Sequence, residues 1–314
     1  MLKEHLIKRN YFSPLNNMNI SFMLMLLVLA NPVNSQTWFE EIRVSPSVIS
    51  TLATDSNVTR AQDEKNIISD RFARVDLSLN ALFELSFNKA IILEPSISYQ
   101  AFQFTPSLNR SEFSASAIYR WQNTFAYNSP WYQVMGRYEY WLADVKQRRS
   151  HINKVMAMSS ARLTTVITWM AGLEWQQRLS EGTVFDTSQT RAFLNLDYTL
   201  NNQAVLYGGY NFIKGHTLSS VQSAYCNGLA STSIYPLILA SEEIEWDQAF
   251  SEDHCGNWLS YRLSATTHTA TLGLNYGLSH STSIDASILH VQVNATDSIE
   301  YERQIFQFSL LKGF

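Results

Sequence analysis

The chain has 314 residues, a formal charge of −4, 46% hydrophobic residues and only 16% charged ones. So few charges with 13% aromatics exclude a disordered chain, and nothing in bulk would neutralise nucleic-acid phosphates. Two cysteines exclude a disulfide-dense scaffold and a four-cysteine zinc site.

The chain opens on Lys3, Lys8 and Arg9, followed by an apolar stretch from Ile20 to Ala30 and small residues before Gln36. A basic start, a short apolar stretch and a small-residue cut site predict a secretory signal peptide over 1–35, leaving a mature chain of 36–314. The apolar stretch is too short to cross about 30 Å of hydrocarbon as a helix. No later segment is continuously apolar over a helix-spanning length. The mature protein is therefore either soluble outside the cytoplasm or a membrane protein without spanning helices, for which only a closed β-barrel satisfies the backbone in lipid.

Alternation decides between them. Val75, Leu77, Leu79, Ala81, Phe83, Leu85 and Phe87 recur at every second position, against Arg74, Asp76, Ser78, Asn80 and Glu84 between them. Strand side chains alternate faces, so this ribbon is apolar on one side and polar on the other. The pattern recurs through Phe113–Trp121, Tyr132–Leu142, Ile167–Trp175, Ala192–Leu200 and Ala270–Leu278. These runs exceed the five or six residues usual in soluble strands and suit membrane strands of nine to eleven. A secreted β-sandwich, burying its apolar faces against each other, would show shorter strands.

The predicted strands are 37–54, 71–87, 90–105, 111–122, 131–143, 152–162, 166–178, 188–200, 203–215, 261–279, 282–294 and 300–314. The sixth has no clean alternation through Met156-Ala157-Met158-Ser159-Ser160. Twelve strands is the expectation, with ten or fourteen as alternatives. The fold class is all-β: a transmembrane, antiparallel, up-and-down β-barrel with short periplasmic turns and long extracellular loops.

The last strand places Phe306, Phe308, Leu310 and Phe314 on one face. An alternating strand ending on Phe resembles the carboxyl-terminal assembly signal of Gram-negative outer-membrane proteins of the porin-like class. That resemblance implies outer-membrane lipid and the barrel-assembly machinery as partners. Lys312 departs from the apolar row, but near an interface a lysine reaches back to water.

If lipid wets the apolar face, the lumen is lined by Arg74, Asp76, Glu84, Glu94, Arg120, Arg137, Glu139, Glu174, Arg178, Arg191 and Asp197. Five basic and six acidic groups are nearly balanced, which suits charge pairs across a narrow lumen. Two readings stay open: a gated or plugged pore for a small-molecule solute, and a closed structural or adhesive barrel whose loops bind an external partner. No cofactor motif appears and no enzyme is expected. His280 with Ser281 or Ser283 lacks an orienting acid, and Glu252, Asp253 and His254 are merely adjacent on a loop.

The connection 216–260 is the longest, and its aromatics Tyr225, Tyr235, Trp246, Phe250 and Trp258 predict a folded segment over the mouth or dipping into it. It holds both cysteines, Cys226 and Cys255, expected to form a disulfide worth about 3–4 kcal/mol in an oxidising compartment. The triplet Asn57-Val58-Thr59 matches a glycosylation pattern without meaning in a bacterium.

Overall fold

The computed structural model describes residues 42–231 and 234–314. The predicted leader, and residues 37–41 of the first predicted strand, lie outside the described residues. Thirteen strands follow in chain order: β1 Ile42–Asp55, β2 Asp70–Ser86, β3 Lys89–Phe102, β4 Arg110–Gln122, β5 Trp131–Ala143, β6 Ser150–Arg162, β7 Ile167–Ser180, β8 Thr187–Thr199, β9 Ala204–Ala224, β10 Glu243–Trp246, β11 Asn257–Ser279, β12 Thr282–Ala295 and β13 Glu300–Gly313. Two short helices, α1 Ile234–Ala240 and α2 Gln248–Asp253, flank β10.

Every strand pairs antiparallel with its chain neighbour, except that β9 pairs with β11 and skips β10. β1 closes the ring onto β13, from Ser47 opposite Gly313 to Asp55 opposite Ile305. The result is a closed barrel of twelve strands with β10 as an addition outside the ring. Closure matters because an open edge would leave backbone N–H and C=O groups unpaired in hydrocarbon. β6 takes its place despite its weak alternation, paired along its length with β5 and β7.

The apolar rows face outward. Leu77, Leu173, Leu272 and Phe308 are all at least 44% exposed, and the rest of each row is exposed or half-buried. A band of bare leucine, valine and phenylalanine around a closed ribbon belongs in hydrocarbon. Aromatic pairs rim the band. Tyr119, Trp121 and Tyr132 stack successively near the short-turn end, with ring centroids 5.4 and 5.5 Å apart. Nearer the long-loop end, the outward hydroxyls of Tyr138 and Tyr210 each lie 2.6 Å from a histidine Nδ1, of His151 and His268 respectively. Lys312 Nζ donates to the hydroxyls of Ser281 (3.0 Å) and Thr282 (3.2 Å), which takes its charge to the turn.

The connections are unequal. At one end lie 87–88, 163–166, 200–203 and 280–281, together with an eight-residue connection at 123–130 that breaks the short-turn rule. At the other end lie 56–69, 103–109, 144–149, 181–186, 225–256 and 296–299. The long connection is thus shorter than the predicted 216–260. His216–Ala224 and Asn257–Ser260 are strand, and carry the β9–β11 hairpin beyond the barrel wall. At 21 and 23 residues these strands are about twice the length a membrane strand needs. Their outer part has its own small core, in which Val221, Tyr261, Leu263 and Ile299 are buried and Ile234, Leu237 and Ile244 pack against them.

Gly215 sits where β9 is hemmed in by β8 and β11. Its φ is 147°, and a Cβ there would stand 2.3 Å from the Ser188 carbonyl oxygen and 2.6 Å from Gln189 Cα. Gly215→Ala is expected to cost about 1–3 kcal/mol, because both the backbone conformation and the neighbouring strand resist it. A lowered midpoint of heat-modifiable migration relative to the unaltered barrel checks this.

Candidate functional site

Under the long connection lies a cavity of about 520 Å³. Its position follows from several inward-folding connections. The connection after β1 is pinned across the mouth by the buried side chain of Asn57. Its Nδ2 donates to the carbonyls of Ala61 (2.9 Å) and Glu302 (3.1 Å), and its Oδ1 accepts from Thr59 Oγ1 at 3.0 Å. The Ser220 amide donates to the Thr59 carbonyl at 2.8 Å and the Gln222 amide to Asn66 Oδ1 at 3.0 Å, which ties this connection to β9. The triplet read in sequence as a glycosylation pattern is therefore a buried fastening.

Arg60 hangs from this fastening with a positive φ of 57°. The connection after β5 delivers Arg148, that after β7 delivers Phe185, and the long connection delivers Phe250. Strands supply the rest: Arg74 and Asp76 from β2, Arg110 from β4 and Arg303 from β13.

The carboxylates near this chamber are already engaged. Glu112 accepts from Arg110 Nε at 2.6 Å and from Arg74 at 2.8 Å, while Arg74 also grips Asp76 at 2.7 Å. Arg303 makes a forked contact with the buried Asp55, at 2.8 and 2.9 Å from Nε. Arg148 donates to Asp247 at 2.8 Å. The chamber lining itself holds five arginines and one acidic residue, Asp76.

One wall is a stack of alternating guanidinium and aromatic groups. Arg110 lies 4.4 Å from the Trp141 ring centre, and Arg178 lies 4.8 Å from Trp141 and 5.9 Å from Phe185. Arg148 lies 4.5 Å from Phe185 and 5.6 Å from Phe250. Ring faces carry partial negative charge, so they separate like-charged guanidinium groups that would otherwise repel at close range. Arg178 and Arg60 have no carboxylate partner among the described residues. Burial, reinforced by Arg303 nearby, pushes the Arg60 guanidinium down to about 10, so it stays charged at neutral pH.

Of the residues predicted to line the lumen, Arg74 and Asp76 border the chamber and Arg178 stands in the stack behind it. Among the others, Glu139 bridges Arg137 and Lys154, each at 2.8 Å, and Arg191 meets Glu174 at 2.9 Å. Glu84 faces Arg43 at 3.6 Å, and Arg120 donates to the Gln133 side-chain oxygen. Glu94 and Asp197 have no ion-pair partner among the described residues. The sequence reading missed Arg60, Arg110, Glu112, Arg148, Asp247 and Arg303. Glu112 and Arg110 were within reach, since they continue the row of Ser114, Ser116 and Arg120 by two-residue steps.

The long connection both caps the mouth and dips into it, with Phe250 on the chamber wall. Cys226 and Cys255 form the predicted disulfide, their Cα atoms 5.1 Å apart. The adjacent Glu252, Asp253 and His254 dock α2 on the connection after β3. Asp253 accepts from the Ser107 amide at 2.7 Å, Glu252 from the Ser107 hydroxyl at 3.3 Å, and His254 Nε2 lies 3.0 Å from Thr105 Oγ1.

Acid is expected to undo this docking. Burial lowers the His254 imidazole below its ordinary value of about 6.5, outweighing Asp253 and Asp70. Burial would raise Asp247, but Arg148 and the hydroxyls of Ser260 and Ser220 outweigh it and hold the carboxyl low. Both groups then add stability that is full above their ordinary values. The His254 share is lost as pH falls below about 6.5, and the Asp247 share below about 3.9. Proteolysis of 227–254 should accelerate in those two windows; a pH-independent rate would contradict it.

The sequence matches no family model and no curated protein. One solved structure shares its fold, and others resemble it more loosely. A COG4313 outer membrane channel from Pseudomonas putida F1 superposes with a TM-score of 0.59 at 8% identity, covering 90% of this chain and all of that one. The outer membrane channel DcaP of Acinetobacter baumannii gives 0.44 at 6% identity, over 87% of this chain and 97% of that one. A KdgM porin gives 0.40 at 9% identity, over 85% and 99%.

Proposed function

We propose that this chain is an outer-membrane channel for small solutes, kept narrow by its long connection. One observation carries the reading: a closed twelve-strand barrel holds, beneath a folded cap, a charged cavity of about 520 Å³. A merely structural barrel has no need of a chamber at its mouth. The barrel that superposes at 0.59 is itself described as a channel, which supports the same reading. In this reading 1–35 directs export and is removed, and the outward row of Phe306, Phe308, Leu310 and Phe314 is what the assembly machinery grips. Single-channel recording in planar bilayers tests the function. Small, discrete open steps are expected. Silence at all voltages, persisting after 227–254 is excised, would show a closed scaffold.

A further inference from the structure

The chamber wall is not only basic. Phe72, Phe102, Phe185 and Phe250 interleave with the arginines. Its volume falls within the roughly 300–1,000 Å³ typical of small-ligand sites, and its lining is mostly polar with the phenyl rings set among the polar groups. Nearby carboxylates are each held by a guanidinium: Asp76 and Glu112 by Arg74 and Arg110, Asp55 by Arg303, Asp247 by Arg148. Arg60 is the exception, a cavity-lining guanidinium with no carboxylate in ion-pair contact among the described residues: Asp55, which lies near enough to act on it, is gripped by Arg303.

Its backbone is held in a conformation that L-residues adopt at a cost, and that cost is met by neighbouring bonds. The Ser219 hydroxyl donates to the Arg60 carbonyl, and the Arg60 amide donates to the Asn57 carbonyl at 3.2 Å. Strain retained around a charged side chain aimed into a cavity marks a preorganised contact. A guanidinium presents paired donors that match a carboxylate.

We infer that the chamber binds a small organic carboxylate with a flat apolar body, its carboxylate on Arg60 and its body against Phe72, Phe102 and Phe250. This deepens the channel reading by naming what enters. An inorganic anion would satisfy Arg60 but leave the phenyl wall unused. A neutral aromatic would fill the wall and leave the guanidinium without a counter-charge in a confined space. A cation would meet the arginines.

Titration calorimetry on the purified full chain in non-ionic detergent tests this, with benzoate as the probe and benzyl alcohol and inorganic phosphate as its two halves. Saturable benzoate binding is expected, at least tenfold tighter than either half. Arg60→Gln should weaken it at least tenfold, and Arg60→Lys should weaken it less. No benzoate binding, or equal binding of phosphate or benzyl alcohol, overturns the inference. If Arg60→Gln fails to assemble, the three probes on the unaltered chain decide the matter. Benzoate binding by a chain that is silent in bilayers would sink the channel and keep the site. Conductance without benzoate binding would sink the site and keep the channel.

Discussion

Asp247→Asn should release the cap and raise single-channel conductance severalfold. Asp247 is fully buried and does two jobs. Its carboxylate accepts from Arg148 at 2.8 Å, from Ser220 Oγ at 2.7 Å and from the Ser260 hydroxyl, and it also caps α2 through the Phe250 amide at 3.4 Å. Asparagine is a competent helix cap, so the substitution removes the charge and spares the cap. Arg148 is then left in the wall without its counter-charge, a change that costs about 3–5 kcal/mol when one partner of a buried pair is lost. The twelve-strand ladder does not pass through Asp247, so barrel migration should hold while the cap loosens and Phe250 leaves the chamber. Replacing both partners, with Asp247→Leu and Arg148→Met, should cost less than Asp247→Asn alone. Unchanged conductance in Asp247→Asn would mean the cap is not what narrows the pore.

Cutting the disulfide acts on the same element by another route. Cys226 and Cys255 are 29 residues apart. Joining them removes chain entropy from the released state worth about 3–4 kcal/mol. In the docked state the Cys255 carbonyl accepts from Gln222 Nε2 at 2.9 Å and from Trp258 Nε1 at 3.2 Å, so the bridge also sets where α2 leaves β11. The double substitution Cys226→Ser, Cys255→Ser should leave the barrel's heat-modifiable migration alone. It should make 227–254 protease-sensitive and the open channel noisier. Reducing agent on the unaltered protein should reproduce both effects. A barrel that melts earlier by the same margin would instead place the bridge among the barrel's own supports.

Most of the barrel was legible because lipid imposes one rule on every spanning residue. Val75 to Phe87, or Ala192 to Leu200, has to alternate, and each strand found by that rule is present, most of them within a few residues of the expected bounds. The rule ends where lipid ends. His216–Ala224 reads as polar loop because Ser219, Ser220 and Gln222 face a folded connection, not hydrocarbon, yet they are strand. β6 reads poorly because Ala157, Ser159 and Ser160 are small residues that fit either face.

The chamber was less legible for a related reason. Arg74, Asp76 and Arg178 sit on strands, so parity placed them inside. Arg60, Arg148 and Asp247 sit on connections whose inward fold depends on partners far along the chain, such as Thr59 with Ser220. Counting charges also hid their arrangement. A nearly balanced total gave no sign that arginines gather under the cap.

The opposite end is arranged differently. Glu84, Asp197 and Asp285 lie within three residues of the short-turn ends of their strands, and Arg43, Arg120 and Arg162 stand on the same face there, so the two signs balance. An excess of fixed positive charge at one mouth and a balanced set at the other makes the barrel interior asymmetric along its length. Mobile anions would gather at the arginine end and not at the other. In the channel reading proposed above, the current–voltage curve should therefore bend rather than run straight through zero, because the sign of the voltage decides which mouth anions meet first.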